Sequence, residues 1–368
     1  MKVINSEFYK EYDLAVCSQS RYVQRFADLK PKLIDKRLVL YGVGKAAPTI
    51  IDFCEQADIV IDFLCDRSPQ PASYGIPYIS ISELIANRDN LVVIIGSYRY
   101  SDEIQEILSI NGFAKEQIIP FPLEAYDIMS SKQFSRHLDG YTRAYDYFKD
   151  EKSKQVVIDR MRLYLTGRLL EKNTSSSSYF ESGCVQFGNN SVIVDGGAYD
   201  GKTAIEFLKC ASRIGNVKVY AFEADPENYS KTIDTVNNYP QITVPNFALW
   251  DSNVYLAWRT DTTASRIVGD QATDYQKTVR ACSLDSFFLG KDDIPTHIKL
   301  DIEGAEHNAI LGAAELISNY KPQLMICAYH KPEDVYDLYE LILSIRDDYN
   351  FVLRHHYDGM YDTVLYGF

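Results

Sequence analysis

SVIVDGGAYDG, residues 191–201, is the stretch whose reading decides the fold. A short apolar run, Val192-Ile193-Val194, passes straight into an acid, two glycines and a third glycine at 201. A helix-period pattern follows over 202–213. A buried strand, a glycine turn and a helix form the opening unit of a parallel nucleotide-binding sheet. Working downstream, VKVYAFEAD (217–225), ITVPNFAL (242–249), HIKLDIEG (297–304) and QLMICAYH (323–330) read as further strands, with helix patterns at 226–237 and 306–319. NFVLRHHY and TVLYGF flank a short turn at Asp358-Gly359 and read as a terminal β-hairpin. Strands alternating with helices predict a parallel α/β sheet, here of five strands plus the hairpin.

Upstream, RLVLYGVGKAAPTIIDF (37–53) repeats the plan in weaker form. An apolar run precedes Gly42 and Gly44, a second strand candidate ends at Asp66, LVVIIGS (91–97) is a third, and IIPF (118–121) a fourth. The expected organisation is a helical segment over 1–35, a small Rossmann-like domain over 36–125, a helical linker over 126–180 and a larger α/β domain over 181–368. In the linker, Tyr145, Phe148, Val156, Met161, Tyr164 and Leu165 recur at helical spacing. The fold class is therefore α/β, two Rossmann-like parallel-sheet domains joined by helices.

Composition narrows the function classes. A net charge of −13 opposes binding to phosphate backbones, so nucleic acid is excluded as a partner. Seven cysteines lie scattered without a CxxC pair, which fits a reducing compartment and core packing better than disulfides or zinc. The N-terminus lacks the apolar core of a signal peptide, and no run reaches the roughly 18 uncharged residues of a membrane span. A cytoplasmic protein with no membrane partner is the expectation. The 28 tyrosines suit carbohydrate contact and ordinary core packing equally.

Four motifs carry the chemistry. The turn Asp195-Gly196-Gly197-Ala198-Tyr199-Asp200-Gly201 departs from the GxGxxG spacing of a pyrophosphate site. Its two carboxylates would repel a diphosphate and suit the cationic end of S-adenosylmethionine; a tight turn with no ligand is the plainer alternative. Glu223, at the tip of the second strand, is placed to accept ribose hydroxyls, with Ala224 beside it. Asp225-Pro226 already supplies a helix cap, which leaves Glu223 for a ligand. In Lys299-Leu300-Asp301-Ile302-Glu303, alternation sets Lys299, Asp301 and Glu303 on one face of a strand that should be apolar on both. Pairing of Lys299 with a carboxylate would satisfy that face structurally, yet Asp301 and Glu303 fall at the carboxyl end, where such sheets bind ligands. His330 ends the next strand and, with an ordinary pKa near 6.5, is a candidate general base.

VIVDGGAYDG, FEADPEN, NFALWD, CSLDSF, IKLDIEGAEHNAILGA, PQLMICAYHKPEDV and LRHHYDGMYDTVLYGF, in that order, resemble the FkbM family of methyltransferases over about 150–368. The resemblance implies a class I methyltransferase sheet, S-adenosylmethionine as cofactor and O-methylation of sugars or other small hydroxylated metabolites. It implies that Asp195, Gly197 and Asp200 line the methionine end, Glu223 takes the ribose, and Ala248 and Leu249 flank the adenine. It further implies that Asp301, Glu303 and His330 face the acceptor, with His330 the first choice of base and Asp301 the second. No zinc or haem signature is present, and no metal ligand is assigned.

Residues 36–125 resemble the Rossmann-like module that precedes sugar-modifying enzymes. Gly42-x-Gly44-x-x-Ala47 and Asp66 make a weak dinucleotide or nucleotide-sugar fingerprint. A degenerate module serving homo-oligomerisation or substrate presentation explains it equally well. Two other readings compete for the whole chain: a non-catalytic nucleotide-binding assembly protein, and an NAD-dependent dehydrogenase.

Overall fold

The computed structural model describes residues 6–67, 74–97, 100–121, 128–260, 265–267 and 277–368. Contacts divide the chain into two compact units, one of residues 1–142 with 158–169, the other of 143–157 with 170–368.

In the first unit, helices α1 (Ser6–Ser18) and α2 (Ser20–Ala27) precede strand β1 (Arg37–Tyr41) and helix α3 (Ala47–Gln56). Strand β2 (Phe63–Cys65), helix α4 (Ile81–Ala86), strand β3 (Leu91–Ile95), helix α5 (Ser101–Ile110) and strand β4 (Ile118–Pro120) follow. The order β2-β1-β3-β4 is parallel throughout. All five residues of β3 are buried, as a central parallel strand requires. One face of the sheet packs Val39, Val93, Ile104 and Leu108 into a core. The 79–85 segment, ISISELI, forms α4 because Ser80 and Glu83 close a capping box at its start. Helices α6 (Ser131–Tyr147) and α7 (Glu151–Thr166) occupy the predicted linker, and each is divided between the two units. The six linker residues at helical spacing are all buried.

The second unit is built on strands β5 (Asn190–Gly196), β6 (Asn216–Phe222), β7 (Ile242–Thr243), β12 (His297–Leu300), β13 (Gln323–Cys327), β14 (Phe351–His355) and β15 (Thr363–Gly367). Their order is β14-β15-β13-β12-β5-β6-β7, with β7 through β13 parallel, β15 antiparallel to β13, and the β14–β15 hairpin closing the edge. The chain runs outward from β5 through β6 to β7, then restarts at β12 on the other side. The switch point lies between β5 and β12, where ligands bind in open α/β sheets. Helices α8 (Lys202–Ala211) and α9 (Pro226–Val236) cover this half of the sheet, and Phe207, Ala211, Val219, Met325 and Tyr366 share one core.

Four details correct the sequence reading. The expected strand 242–249 is two pieces, because Pro245 has no N–H for the ladder. Ile242–Thr243 stays on the main sheet, whereas β8 (Ala248–Leu249) joins a separate sheet of order β10-β9-β11-β8. Strands β9 (Val254–Thr260), β10 (Ser265–Ile267) and β11 (Lys277–Cys282) of that sheet were not anticipated. Helix α10 (Leu284–Phe288) follows them. The expected helix 306–319 is α11 (Glu306–Leu311) and α12 (Ala314–Tyr320), divided at Gly312, where a β-carbon would collide with the Trp250 carbonyl. Strand β12 ends at Leu300 instead of 304. Glu303 (φ 56°) and Gly304 (φ 92°) are left-handed, so strand alternation stops before them. Helix α13 (Asp334–Ile345) completes the unit.

Candidate active site

The site residues gather at the carboxyl ends of β5, β6, β12 and β13. Beyond β5 the chain turns sharply, with Gly197, Tyr199 and Gly201 all at positive φ. The glycines serve close packing within the protein. A β-carbon on Gly196 would meet Leu249 and Leu300, one on Gly197 would fall on the Asp301 carbonyl, and one on Gly201 would meet Val236 and Thr232. The protein's own packing is thus enough to require glycine at these positions.

The charge argument for the turn also changes. Asp195 is 0% exposed and lies 2.9 Å from the ammonium of Lys299, itself 2% exposed. The two residues are direct cross-strand partners in the β5–β12 register. Lys299 also donates to the carbonyls of Gly196 (3.0 Å) and Gly197 (2.9 Å). Burial pushes the Asp195 carboxyl up against the pull of Lys299; burial works to lower Lys299, and Asp195 and Asp301 outweigh it. Asp195 therefore offers no unmatched charge to a cofactor, and Asp200 pairs with Lys202 at 2.6 Å. A diphosphate is disfavoured for a different reason. The amides of Gly197 and Ala198 donate to the Phe222 carbonyl, that of Tyr199 to Glu223, that of Gly201 to Ala198 and that of Lys202 to Asp200. A phosphate cradle needs such amides uncommitted.

Glu223 lies one residue past β6. Its Oε2 accepts from the Tyr199 amide and its Oε1 from the Asp225 amide, each at 2.8 Å. Burial raises its pKa, and the two amides oppose that rise. Each oxygen keeps a second lone pair, so the carboxylate offers two adjacent acceptors, the pair to which a vicinal diol can donate. Asp225 caps α9 by accepting from the Glu227 and Asn228 amides, as its sequence predicts. Beside Glu223, Ala224, Ala248 and Trp250 join Leu256, Val279 and Ala281 in an apolar cluster. Leu249 is buried and lies over Gly196.

On the other side of the switch point Asp301 is held by two phenols. Tyr179 donates to its Oδ2 (2.9 Å) and Tyr329 to its Oδ1 (2.8 Å). Burial works to raise the Asp301 carboxyl; Lys299, His330 and the two phenols outweigh it and hold it below the ordinary range. A carboxylate held anionic in this way is a weak base, which weighs against the second choice.

His330 follows β13. Its Nδ1 is 3.0 Å from Glu306 Oε1, and its Nε2 is 3.5 Å from Asp301 and 3.9 Å from Glu303. Burial would lower the imidazole, and Glu306, Asp301 and Glu303 together raise it to about 9. With its pKa raised in this way the ring favours the protonated form, which has no lone pair for an acceptor proton. That weighs against the expected role of His330 as resting-state base. Glu303 is the most open member of the group, 48% exposed. Sequence reasoning assigned no role to Tyr179, Glu306 or Asp334. Glu306 had a legible signal, since it stands in the same charged segment as Asp301 and Glu303; Tyr179, at the end of a serine-rich loop, had none.

In the first unit, the Asp66 carboxylate accepts from the Val43 amide at 2.8 Å, tying down the Gly42 turn. The acid of the weaker fingerprint thus has a structural duty.

The fold is that of a methyltransferase. The chain is similar to the FkbM methyltransferase of Methylobacillus flagellatus KT, with 23% identity, 100% of this chain and 99% of that one covered, and a TM-score of 0.60. Partial likenesses include precorrin-6y C5,15-methyltransferase of Geobacter metallireducens GS-15 (12% identity, 49% and 79% covered, TM-score 0.30). Another is Aeropyrum pernix fibrillarin in complex with S-adenosyl-L-methionine (10%, 50% and 67%, TM-score 0.32). No curated protein sequence matches. Residues 195–353 match the family model described as Methyltransferase FkbM domain, and the second unit carries an FkbM-type methyltransferase domain.

Proposed function

We propose that the second unit transfers a methyl group from S-adenosylmethionine to a hydroxyl of a sugar, nucleotide sugar or other small hydroxylated metabolite. The observation that carries this reading is the Glu223 carboxylate, buried at the strand end beside the switch point with one acceptor position left on each oxygen. That pair of acceptors fits the two ribose hydroxyls, and the apolar cluster of Ala224, Ala248 and Trp250 fits an adenine. When bound, S-adenosylmethionine supplies an electrophilic methyl on a sulfonium.

The residues of the chain then act on position and proton. Tyr179 and Tyr329 fix Asp301, whose backbone carbonyl lies against Gly197, so the acceptor side and the cofactor turn are held to one another. Glu303 takes the acceptor's proton on a carboxylate oxygen as the new C–O bond forms, and the His330 imidazolium beside it stabilises the charges of the group. The carboxylates of Asp301 and Glu303 beside His330 suit a polyhydroxylated acceptor that donates hydrogen bonds.

The test is transfer of labelled methyl over a panel of nucleotide sugars and polysaccharide fragments, with calorimetry of S-adenosylmethionine, its demethylated product and NAD. Label in a hydroxyl-bearing product and binding of both sulfur nucleosides are expected. Binding of NAD alone overturns the proposal. Glu303→Gln is expected to lower kcat while leaving affinity for the demethylated product unchanged.

A further inference from the structure

We propose that Glu306, His330 and Asp334 form a binding site for one divalent first-row transition-metal ion. The three residues come from separate places in the sheet's rim: Glu306 opens α11, His330 follows β13, and Asp334 opens α13. One ligand atom from each lies within 4.8 Å of the others. Ligands on one ion held at about 2.1 Å stand roughly 3–4 Å apart, so a small inward rotation of the side chains closes the set.

An acidic cluster alone would not define a site; the state of its buried atoms does. Glu306 is 1% exposed, and its Oε2 is buried with no hydrogen-bond partner. His330, with 9% of its side chain exposed, has both ring nitrogens buried and neither in a hydrogen bond of good geometry, although Nδ1 is 3.0 Å from Glu306 Oε1. Asp334 is 4% exposed. The remaining carboxylate positions are used locally: Ile302 N–H donates to Glu306 Oε1 at 2.9 Å and Lys331 N–H to Asp334 Oδ2 at 2.7 Å. These second contacts aim the carboxylates, as outer hydrogen bonds do around metal ligands.

The carboxylates around His330 favour a positive charge there, a proton on the ring or a metal ion in its place. Glu306 and Asp334 are both buried, Asp301 and Glu303 also face the ring, and Lys299 is committed to Asp195. An ion bound to Glu306 Oε2 would satisfy the atom that the protein leaves unserved. One imidazole with two carboxylates selects manganese, iron or zinc over magnesium, whose sites are all oxygen. Three protein ligands leave coordination positions open. The site shares His330 with the acceptor side of the proposed methyl transfer, where a bound ion takes the place of the imidazolium proton; its occupancy is read by titration, without turnover.

The experiment uses the full chain stripped of metal by a chelator and titrated with Mn²⁺. The free-ion electron paramagnetic resonance signal reads occupancy, and Zn²⁺ titration by calorimetry reads stoichiometry. One equivalent is expected. Affinity should fall at least about tenfold in Glu306→Gln, His330→Gln and Asp334→Asn. Circular dichroism establishes which variants are folded. Should every variant fail to fold, the wild-type Mn²⁺ complex decides, because its spin-echo spectrum must show coupling to an imidazole nitrogen. No binding of either ion below about 1 mM, absence of that coupling, or undiminished binding in folded variants overturns the proposal.

Discussion

Replacing Lys299 by methionine strips the buried Asp195 carboxylate of its counter-charge while leaving the volume of the side chain nearly unchanged. Breaking a buried pair by removing one partner costs about 3–5 kcal/mol. A second route sets a ceiling. The stranded carboxylate can take up a proton, and at pH 7 this costs about 4 kcal/mol, three pH units above an ordinary aspartate pKa near 3.9 at roughly 1.4 kcal/mol each. Asp195 in the variant has its folded pKa raised above its unfolded value. Its destabilisation is therefore small near pH 4 and grows by up to about 1.4 kcal/mol per pH unit above that. At pH 5 the expected cost is about 1.5 kcal/mol, plus roughly 1 kcal/mol for the carbonyls of Gly196 and Gly197 that lose a donor. Both tryptophans, Trp250 and Trp258, belong to the second unit, so urea unfolding followed by tryptophan fluorescence reports that unit. The comparison is wild type against Lys299→Met from pH 5 to 8, with Asp195→Asn/Lys299→Met as control. The double variant should lose the pH slope. A single-variant cost below about 1 kcal/mol at pH 7, or one that does not change with pH, would refute the account of the pair.

Three further outcomes are expected. Gly197→Ala places a β-carbon on the Asp301 carbonyl at a backbone φ of 77°, and should lower stability by roughly 3 kcal/mol or more; a wild-type melting temperature would contradict it. Glu223→Gln turns an acceptor into a donor facing a backbone amide, and should weaken the demethylated cofactor product about 10–100-fold by calorimetry; unchanged affinity would detach Glu223 from the ribose. Burial lowers the His297 imidazole to about 4, while the Gln186 carbonyl opposes the shift. The unfolded chain takes up this proton first, so about 3 kcal/mol of stability, fully present above pH 6.5, is lost as pH falls to 4. His297→Gln should flatten that part of the stability profile by the same fluorescence assay; a slope equal to wild type would show the acid loss to come from other groups.

The parallel sheet was legible because its strands are short apolar runs bounded by glycine and acid, and the period of the helices between them is unambiguous. The hairpin was legible from Asp358-Gly359. The small second sheet was not, since β9 and β11 alternate too weakly to stand out and Pro245 hides the break before β8. Site residues were legible as a set, because charges at the end of an apolar strand are conspicuous. Their division of labour was not. Whether Lys299 faces Asp195 or a ligand depends on the register of two strands far apart in the chain. The protonation of His330 depends on Glu306, two residues beyond the left-handed turn that ends strand alternation.

That register has a further consequence. Lys299 and Gly196 are 103 residues apart, so β12 must find β5 late, among several apolar strands of similar length. Sliding β12 by one residue would turn Lys299 toward the opposite face and leave both charges facing hydrocarbon. A purely apolar pair of strands would tolerate such a slip at little cost. The ion pair therefore acts as a key to the register, penalising the neighbouring alignments and favouring the one that sets the turn beyond Gly196 against the loop beyond Leu300.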